Sequence, residues 1–282
     1  MKKLIIIGSS GFVGKSLTNY VKNHKTNISK ILNYSRSNKK NIIKIKKLPQ
    51  ADYVFYLINN RNIKKSINFF FHFKKLLFKC SKNTKVLFFS SGAVYGPRKV
   101  YKKFKENEKI NLNKINQFKG YKKNYAKEKM LLENEFKKIS KQGFKVSIVR
   151  GFAFYGKFIL KYNYLISKLI NAARLKNKLI VNNPNVVRSY MHANDLCKWL
   201  IRLVENSSTK CPIYNIGSDK IVKIEKLVSF LNKKYNSKII IKKNNEEKID
   251  FYIPSTNLVK KKFKLKTTIN FIHAIKSLIN LR

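Results

Sequence analysis

The sequence predicts an α/β chain built on a doubly wound parallel sheet, with a smaller C-terminal substrate lobe interleaved with that sheet. Three observations carry the expectation. The chain opens Lys3-Leu-Ile-Ile-Ile-Gly8-Ser-Ser-Gly11-Phe-Val-Gly14, where a short apolar run breaks at a glycine and leads into helical text. Apolar runs of strand length then alternate with helical stretches as far as Arg150. Beyond Gly151 the alternation loosens, which marks the second lobe.

Leu4 to Ile7 is too short for a helix and suits a buried parallel strand. The glycines at 8, 11 and 14 give GxxGxxG, one residue longer than the common GxGxxG fingerprint. A strand turning sharply into a helix leaves backbone N–H groups and the helix dipole facing outward, a ready phosphate site. Gly8 permits the turn, Gly11 lets a pyrophosphate approach the backbone, and Gly14 lets the helix pack tightly. Gly8, Gly11, Phe12, Val13 and Gly14 are therefore the expected cofactor cradle. A plain strand–helix turn is the competing reading.

Ile28 to Tyr34 reads as a second strand, with Ser35 and Arg36 at its end, where the ribose of a dinucleotide is expected. No acidic residue precedes Asp52, so the carboxylate that usually grips the NAD ribose is missing. Arg36 would instead meet a 2′-phosphate, which prefers NADP and leaves NAD as the alternative. Arg36 as one more solvated cation is the plainer reading. Ala51 to Ile58 is the next strand, and Leu57, Ile58, Asn59 and Asn60 fall at its cofactor end. Arg61 to Lys79 reads as a helix whose run Phe69-Phe-Phe-His-Phe73 belongs to the core, with His72 structural. Lys85 to Ser90 is a strand running into Ser91-Gly92-Ala93; Arg98 to Lys123 reads as a lysine-rich loop, and a helix over 125–141 leads to a strand ending at Arg150. The division is 1–155 for dinucleotide binding and 156–282 mainly for substrate, with segments near 178–217 returning to the sheet.

With 282 residues, 44% apolar and 13% aromatic, the chain is long and apolar enough for a sizeable core. Its net charge of +50 comes from lysines spread over predicted helices, strands and loops alike. That spread reads as compositional bias rather than a nucleic-acid patch, and no specific nucleic-acid site stands out. A selected polyanion interaction is the alternative. Either way the field attracts a doubly negative nucleotide. Cys80, Cys197 and Cys211 are scattered without CxxC spacing, as in a reducing compartment without structural zinc. No apolar run approaches ~18 residues, so no membrane span is expected. The first apolar run stops at Gly8, so no signal peptide is expected and the cytoplasm is the expected location. No carboxylates cluster with a histidine at metal-ligand spacing, and no GxSxG elbow occurs, which disfavours metal enzymes and serine hydrolases.

Tyr125-Ala-Lys-Glu-Lys129 is the most informative segment after the opening. Tyrosine and lysine four apart share a helical face, and an ammonium beside a phenol stabilises the phenolate. Such a tyrosine can return or remove a hydroxyl proton while hydride moves to or from nicotinamide. Ser91, at a strand end, is placed to hydrogen-bond a sugar oxygen. A solvated helix face and an ordinary strand-end serine are the bland readings.

The glycine stretch, Ser90-Ser-Gly-Ala-Val-Tyr-Gly96 and Tyr125-Ala-Lys-Glu-Lys-Met-Leu-Leu-Glu133 resemble the extended short-chain dehydrogenase/reductase family. Within it they look like the NAD(P)-dependent nucleotide-sugar epimerases, dehydratases and 4-ketoreductases. The likeness runs on through Val149-Arg-Gly-Phe-Ala-Phe-Tyr-Gly156, Arg188-Ser-Tyr-Met-His-Ala-Asn-Asp195, Tyr214-Asn-Ile-Gly-Ser218 and Tyr252-Ile-Pro-Ser-Thr256. It implies a Rossmann-type fold and a homodimer. It also implies Ser91, Tyr125 and Lys129 as the catalytic set, with Tyr125 the acid/base and Lys129 orienting the ribose. Phe152 would contact the cofactor, Ser91 and Gly92 the sugar, and Arg188 the substrate diphosphate; His192 would be structural. Where dehydratases of the family carry Asp-Glu, Gly92 and Ala93 stand here, which speaks against dehydration. Ala153 replaces an asparagine common among epimerases. Phe-Ala-Phe together with Arg-Ser-Tyr resembles a branch associated with bacterial surface-polysaccharide sugars. The resulting expectation is a 4-keto-sugar reductase acting at C4 of a nucleotide-linked hexose, with a 4-epimerase as the alternative. A non-catalytic cofactor-sensing or polyanion-binding protein is the alternative from another class.

Overall fold

The computed structural model describes residues 1–35, 47–59, 62–242 and 249–281. Arg36, Asn60 and Arg61 lie outside the described residues. The elements run β1 (Lys2–Ile7), α1 (Phe12–Asn23), β2 (Ile28–Tyr34), β3 (Tyr53–Tyr56), α2 (Ile63–Leu77) and β4 (Lys85–Ser91). Then come α3 (Leu112–Asn116), α4 (Gly120–Lys141), β5 (Lys145–Gly151), β6 (Phe154–Tyr155), α5 (Leu165–Leu175), β7 (Leu179–Val181), β8 (Val186–Arg188) and β9 (Met191–His192). The chain continues with α6 (Ala193–Glu205), β10 (Ile213–Ile216), β11 (Val222–Lys223), α7 (Ile224–Tyr235), β12 (Ile239–Ile241), β13 (Asp250–Tyr252), α8 (Asn257–Phe263) and α9 (Phe271–Ile279).

Two compact units result. The first comprises Met1–Gly96, Glu106–Gly151 and Cys197–Ile216. Its six-stranded sheet has the order β10-β5-β4-β3-β1-β2, with every neighbouring pair parallel. From β1 the chain steps one way to β2 and then the other way through β3, β4, β5 and β10. The reversal lies between β1 and β3, and in such sheets ligands bind beyond the strand ends at that point. The strand interiors read as continuous apolar runs because both faces are covered: Leu4 to Ile7 and Val54 to Tyr56 are wholly buried. Helices α2 and α4 pack together, and the rings of Tyr56, Phe69, Phe70, Phe73, Phe88 and Phe136 interlock in one core. Phe88 and Phe136 stack at 4.5 Å between centroids. Of the aromatic run on α2, Phe69, Phe70 and Phe73 are core and Phe71 is exposed.

The second unit comprises Pro97–Lys105, Phe152–Leu196 and Gly217–Arg282. It holds a three-stranded sheet, β11-β8-β13, and two small pairs, β12-β7 and β6-β9. Helix α5 packs on α7 and α9. Helix α6 carries the chain from this unit back into the first, with Trp199 fully buried.

The stretch from Arg98 to Lys123 is not a plain loop. It contains α3 and the first turn of α4, which starts at Gly120, before Tyr125. Asn111 caps α3 by accepting from the Asn113 backbone N–H at 2.8 Å, a cap hidden among the many asparagines of this lysine- and asparagine-rich chain. No helix among the described residues is long and apolar enough to cross a membrane.

Candidate active site

The turn after β1 is tied to the end of β2. Gly8 and Ser9 backbone N–H groups both donate to the Tyr34 carbonyl, at 2.9 and 3.1 Å, and the Ser9 hydroxyl donates to the same oxygen at 3.2 Å. Gly8 has φ of +98°, and a Cβ there would lie 3.0 Å from the Leu57 carbonyl carbon. A Cβ on Gly14 would sit 2.6 Å from both the Gly8 oxygen and the Ser9 Cα. Both positions are glycine because the chain packs against itself. Gly11 is different. Its φ of −74° suits any residue, and a Cβ there would meet only the Gly8 oxygen, at an ordinary 3.4 Å. The space kept open at Gly11 lies over the start of α1, which has no side-chain cap and no acidic residue in its first turn. The Phe12 and Val13 N–H groups belong to that first turn, where helical donors have no partner of their own. This cradle fits a dinucleotide pyrophosphate. Ser35 is buried directly after β2.

Facing this turn is the end of β3. Leu57 donates its N–H to the Ile7 carbonyl at 2.8 Å, and the Ile58 carbonyl accepts from Lys129 Nζ at 2.7 Å. Lys129 is therefore anchored at the strand end beside Gly8. On α4, Tyr125, Lys129 and Glu133 follow one another at four-residue spacing and form one stripe. Lys129 is 2% exposed, and its ammonium lies 5.7 Å from the Tyr125 ring centroid, within electrostatic reach of the phenol. Burial pushes the Lys129 ammonium below its ordinary value, and Glu128 and Glu133 pull it part of the way back. Tyr125 is half-buried and stacks on Tyr121 at 5.8 Å.

Glu128 and Glu133 are both wholly buried. Glu128 accepts from the Ser66 hydroxyl of α2 at 2.5 Å. Glu133 grips Arg150 with both oxygens, at 3.0 Å to Nε and 2.8 Å to Nη2, and accepts from the Ser90 hydroxyl at 2.6 Å. Arg150 Nη1 donates to the Tyr95 hydroxyl at 2.8 Å, and Tyr95 donates to Asn215 Oδ1 at 2.8 Å. Glu106 closes the set by accepting from the Asn215 backbone N–H at 3.0 Å. Burial pushes the Tyr95 phenol up to about 12, against the pull of Arg150. Burial opposes the charge on Arg150, but Glu133 more than offsets it and the guanidinium is raised above its ordinary value. This network joins α4 to the ends of β4, β5 and β10 within one unit.

Ser91 ends β4 directly beside Ser90. Its hydroxyl accepts from the Ala93 N–H at 3.1 Å and starts the 3₁₀ turn Gly92–Tyr95, on which α4 packs. Gly92 is buried in that turn, and neither it nor Ala93 offers a carboxylate. The first unit thus brings together the glycine turn, Leu57, Ile58, Tyr125 and Lys129, with Ser91 on the same sheet edge. Glu128, Arg150, Tyr95, Glu106 and Asn215 were missed as supports. The signal for Arg150 was a charged residue inside an otherwise buried strand, which demands a partner.

Three expected residues lie in the second unit. Phe152 is buried, with its ring 4.6 Å from Tyr252 and 5.7 Å from Phe104. Arg188, on β8, pairs with Asp250 and lies 5.8 Å over the Tyr252 ring. His192 Nδ1 accepts from the Asn194 N–H at 3.2 Å, and its ring packs edge-on against Tyr155 at 5.1 Å. Burial lowers its pKa, with Asp195 pulling the other way.

Comparison with known proteins bears on the fold and the family of the chain. Among solved structures, RMD from Pseudomonas aeruginosa complexed with NADPH superposes with a TM-score of 0.75 at 18% identity, over 99% of this chain and 98% of that one. The dTDP-glucose 4,6-dehydratase of Bacillus anthracis, in complex with NAD, gives 0.77 at 15% identity, over 99% and 96%. UDP-N-acetylglucosamine 4-epimerase from Bacillus cereus gives 0.74 at 16% identity, over 99% and 98%. These likenesses establish the fold, a Rossmann-type six-stranded parallel sheet flanked by helices. No curated protein matches the chain. The model of the NAD dependent epimerase/dehydratase family matches residues 4–217, which hold the glycine turn, Ser91, Tyr125, Lys129 and Arg188. The chain belongs to the NAD-dependent epimerase/dehydratase family.

Proposed function

We propose that this protein is an NADP-preferring reductase of a 4-keto sugar carried on a nucleoside diphosphate, in the making of surface-polysaccharide sugars. The observation that carries the reading is the Tyr125–Lys129 pair on α4, with Lys129 held on the Ile58 carbonyl beside the Gly8 turn. A dinucleotide bound at that turn supplies the hydride. Gly8, Gly11 and Gly14 shape its seat, and the first N–H groups of α1 face its phosphates. Lys129 steadies the phenol electrostatically, and Tyr125 gives its proton to the C4 oxygen. Ser91 holds that oxygen. Gly92 and Ala93 leave no acid and base beside it for the loss of water, which favours reduction over dehydration. The positive field of a +50 chain supports a highly charged cofactor and substrate.

The test is incubation with a panel of nucleotide-linked 4-keto-hexoses and NADPH or NADH. Stoichiometric oxidation of the cofactor is expected with one member, faster with NADPH. A 4-epimerase would instead interconvert unreduced nucleotide hexoses with no net turnover of cofactor, and no oxidation with any ketone overturns the reductase. Tyr125→Phe is expected to lower kcat about 10²–10⁴-fold while leaving cofactor affinity unchanged. We also propose a homodimer through α2 and α4, where Phe71 is 45% and Leu131 40% exposed. Sedimentation of a Phe71→Lys variant should show monomer where the unmodified chain shows dimer.

A further inference from the structure

Arg188 has a pattern of partners that assigns a role to Asp250. The two residues meet diagonally across the parallel pair β8 and β13, where Val186 is opposite Asp250 and Arg188 opposite Tyr252. Arg188 Nη1 donates to two backbone carbonyls, that of Val187 at 3.0 Å and that of Asp250 at 2.5 Å. Nη2 donates to the Asp250 carboxylate at 2.5 Å. A guanidinium has five N–H donors in a rigid plane. Asp250 takes the Nη1/Nη2 end of that plane with its carbonyl and its carboxylate together. Nε–H and the second Nη2–H, which share the adjacent edge, take part in none of these bonds. The ring of Tyr252 lies 5.8 Å from the guanidinium carbon. The Arg188 side chain is 14% exposed and that of Asp250 is 39% exposed.

We propose that Asp250 is a positioning residue for substrate binding: it fixes the plane of Arg188 so that the Nε/Nη2 edge stays open to two oxygens of a nucleoside diphosphate. This rests on the reading of Arg188 as the diphosphate clamp. The chemistry favours it in two ways. A planar fork binds two phosphate oxygens well only when it is held in the right plane. A long arginine side chain otherwise gives up rotamer freedom on binding, and a partner that orders it beforehand removes that cost. The opposite role is a carboxylate that repels the phosphate and competes for the same cation. The two roles predict changes of opposite sign.

The experiment is calorimetric titration of UDP, CDP and dTDP into protein saturated with NADPH, so that the glycine turn is already filled. Asp250→Ala and Asp250→Val should each weaken the best-bound diphosphate about tenfold, the loss of one well-placed charged hydrogen bond. Val suits a strand, carries no acceptor and serves if the Ala variant does not fold. Asp250→Asn, which keeps an oxygen acceptor for Nη2, should bind within threefold of the unmodified chain. NADPH affinity should not move in any variant, whereas general damage to the fold would move it. The inference is overturned if a folded Ala or Val variant binds as tightly as the unmodified chain or tighter. It is also overturned if Asn binds tighter than Asp, or as weakly as Ala. Arg188→Ala separates the two levels. If it leaves diphosphate affinity unchanged, or if no diphosphate binds at all, the clamp reading itself fails. If it weakens binding while Asp250→Ala does not, only the role of Asp250 fails.

Discussion

Two alanine substitutions in the glycine turn should separate folding from binding. At Gly14 the new methyl would lie 2.6 Å from the Gly8 oxygen and 2.6 Å from the Ser9 Cα, both backbone atoms that cannot swing aside. Overpacking of this kind costs about 1–3 kcal/mol, and alanine's better helix propensity returns about 1. A net loss of up to about 2 kcal/mol is expected. At Gly11 the methyl has room, at 3.4 Å from the Gly8 oxygen, and the backbone angle is unstrained. Losing glycine as the N-cap costs a few tenths to about 1 kcal/mol, while stiffening the unfolded chain returns about 0.4–1. Gly11→Ala should therefore leave stability within about 1 kcal/mol of the original. It should nonetheless weaken dinucleotide binding at least about tenfold, because the methyl stands where a phosphate oxygen must reach the first N–H groups of α1. Urea titration reads the first effect, and NADPH fluorescence titration reads the second. Gly11→Ala binding NADPH as well as the original chain, or proving less stable than Gly14→Ala, would refute the reasoning.

Glu133→Gln leaves Arg150 buried with half its grip, and breaking a buried pair costs about 3–5 kcal/mol. Urea unfolding should show that loss, and a change below about 1 kcal/mol would show that water or Glu106 takes over the charge. His192 sets a pH dependence of stability. Its folded pKa is lowered by burial, so its contribution is present above the unfolded value of about 6.5 and is lost as pH falls through the folded one. The slope is at most about 1.4 kcal/mol per pH unit for one proton. Melting at pH 7.5 and 5.5 should fall less in His192→Gln than in the original chain, and equal falls would contradict the assignment.

Much of the first unit was legible in the sequence because its strands are buried on both faces and short. Leu4 to Ile7 and Val54 to Tyr56 permit no other reading, and the glycine spacing marks the turn between sheet and helix. The spacing of Tyr125 and Lys129 likewise places them on one helical stripe. Long-range polar partners were not legible. Nothing local in Glu106, amid lysine-rich text, announces a bond to the Asn215 backbone 109 residues away. Helix α3 escaped because its apolar content is small and its signal is a single asparagine cap among many asparagines. The partner of Arg188 escaped for a third reason: β13 joins β8 across a long stretch of chain, and pairing of short strands leaves no local trace.

The charged stripe on α4 also acts as a register check. A helix packed by greasy residues alone tolerates sliding, since one apolar side chain replaces another at little cost. Here Glu133 must meet Arg150 and Ser90, Glu128 must meet Ser66, and Lys129 must meet the Ile58 carbonyl, all in one placement. A slip of a single residue would strand Lys129, Glu133 and Arg150 at once, each penalised by several kcal/mol. Misdocked arrangements of this helix are thereby made sparse, and the phenol of Tyr125 is delivered to one position rather than several.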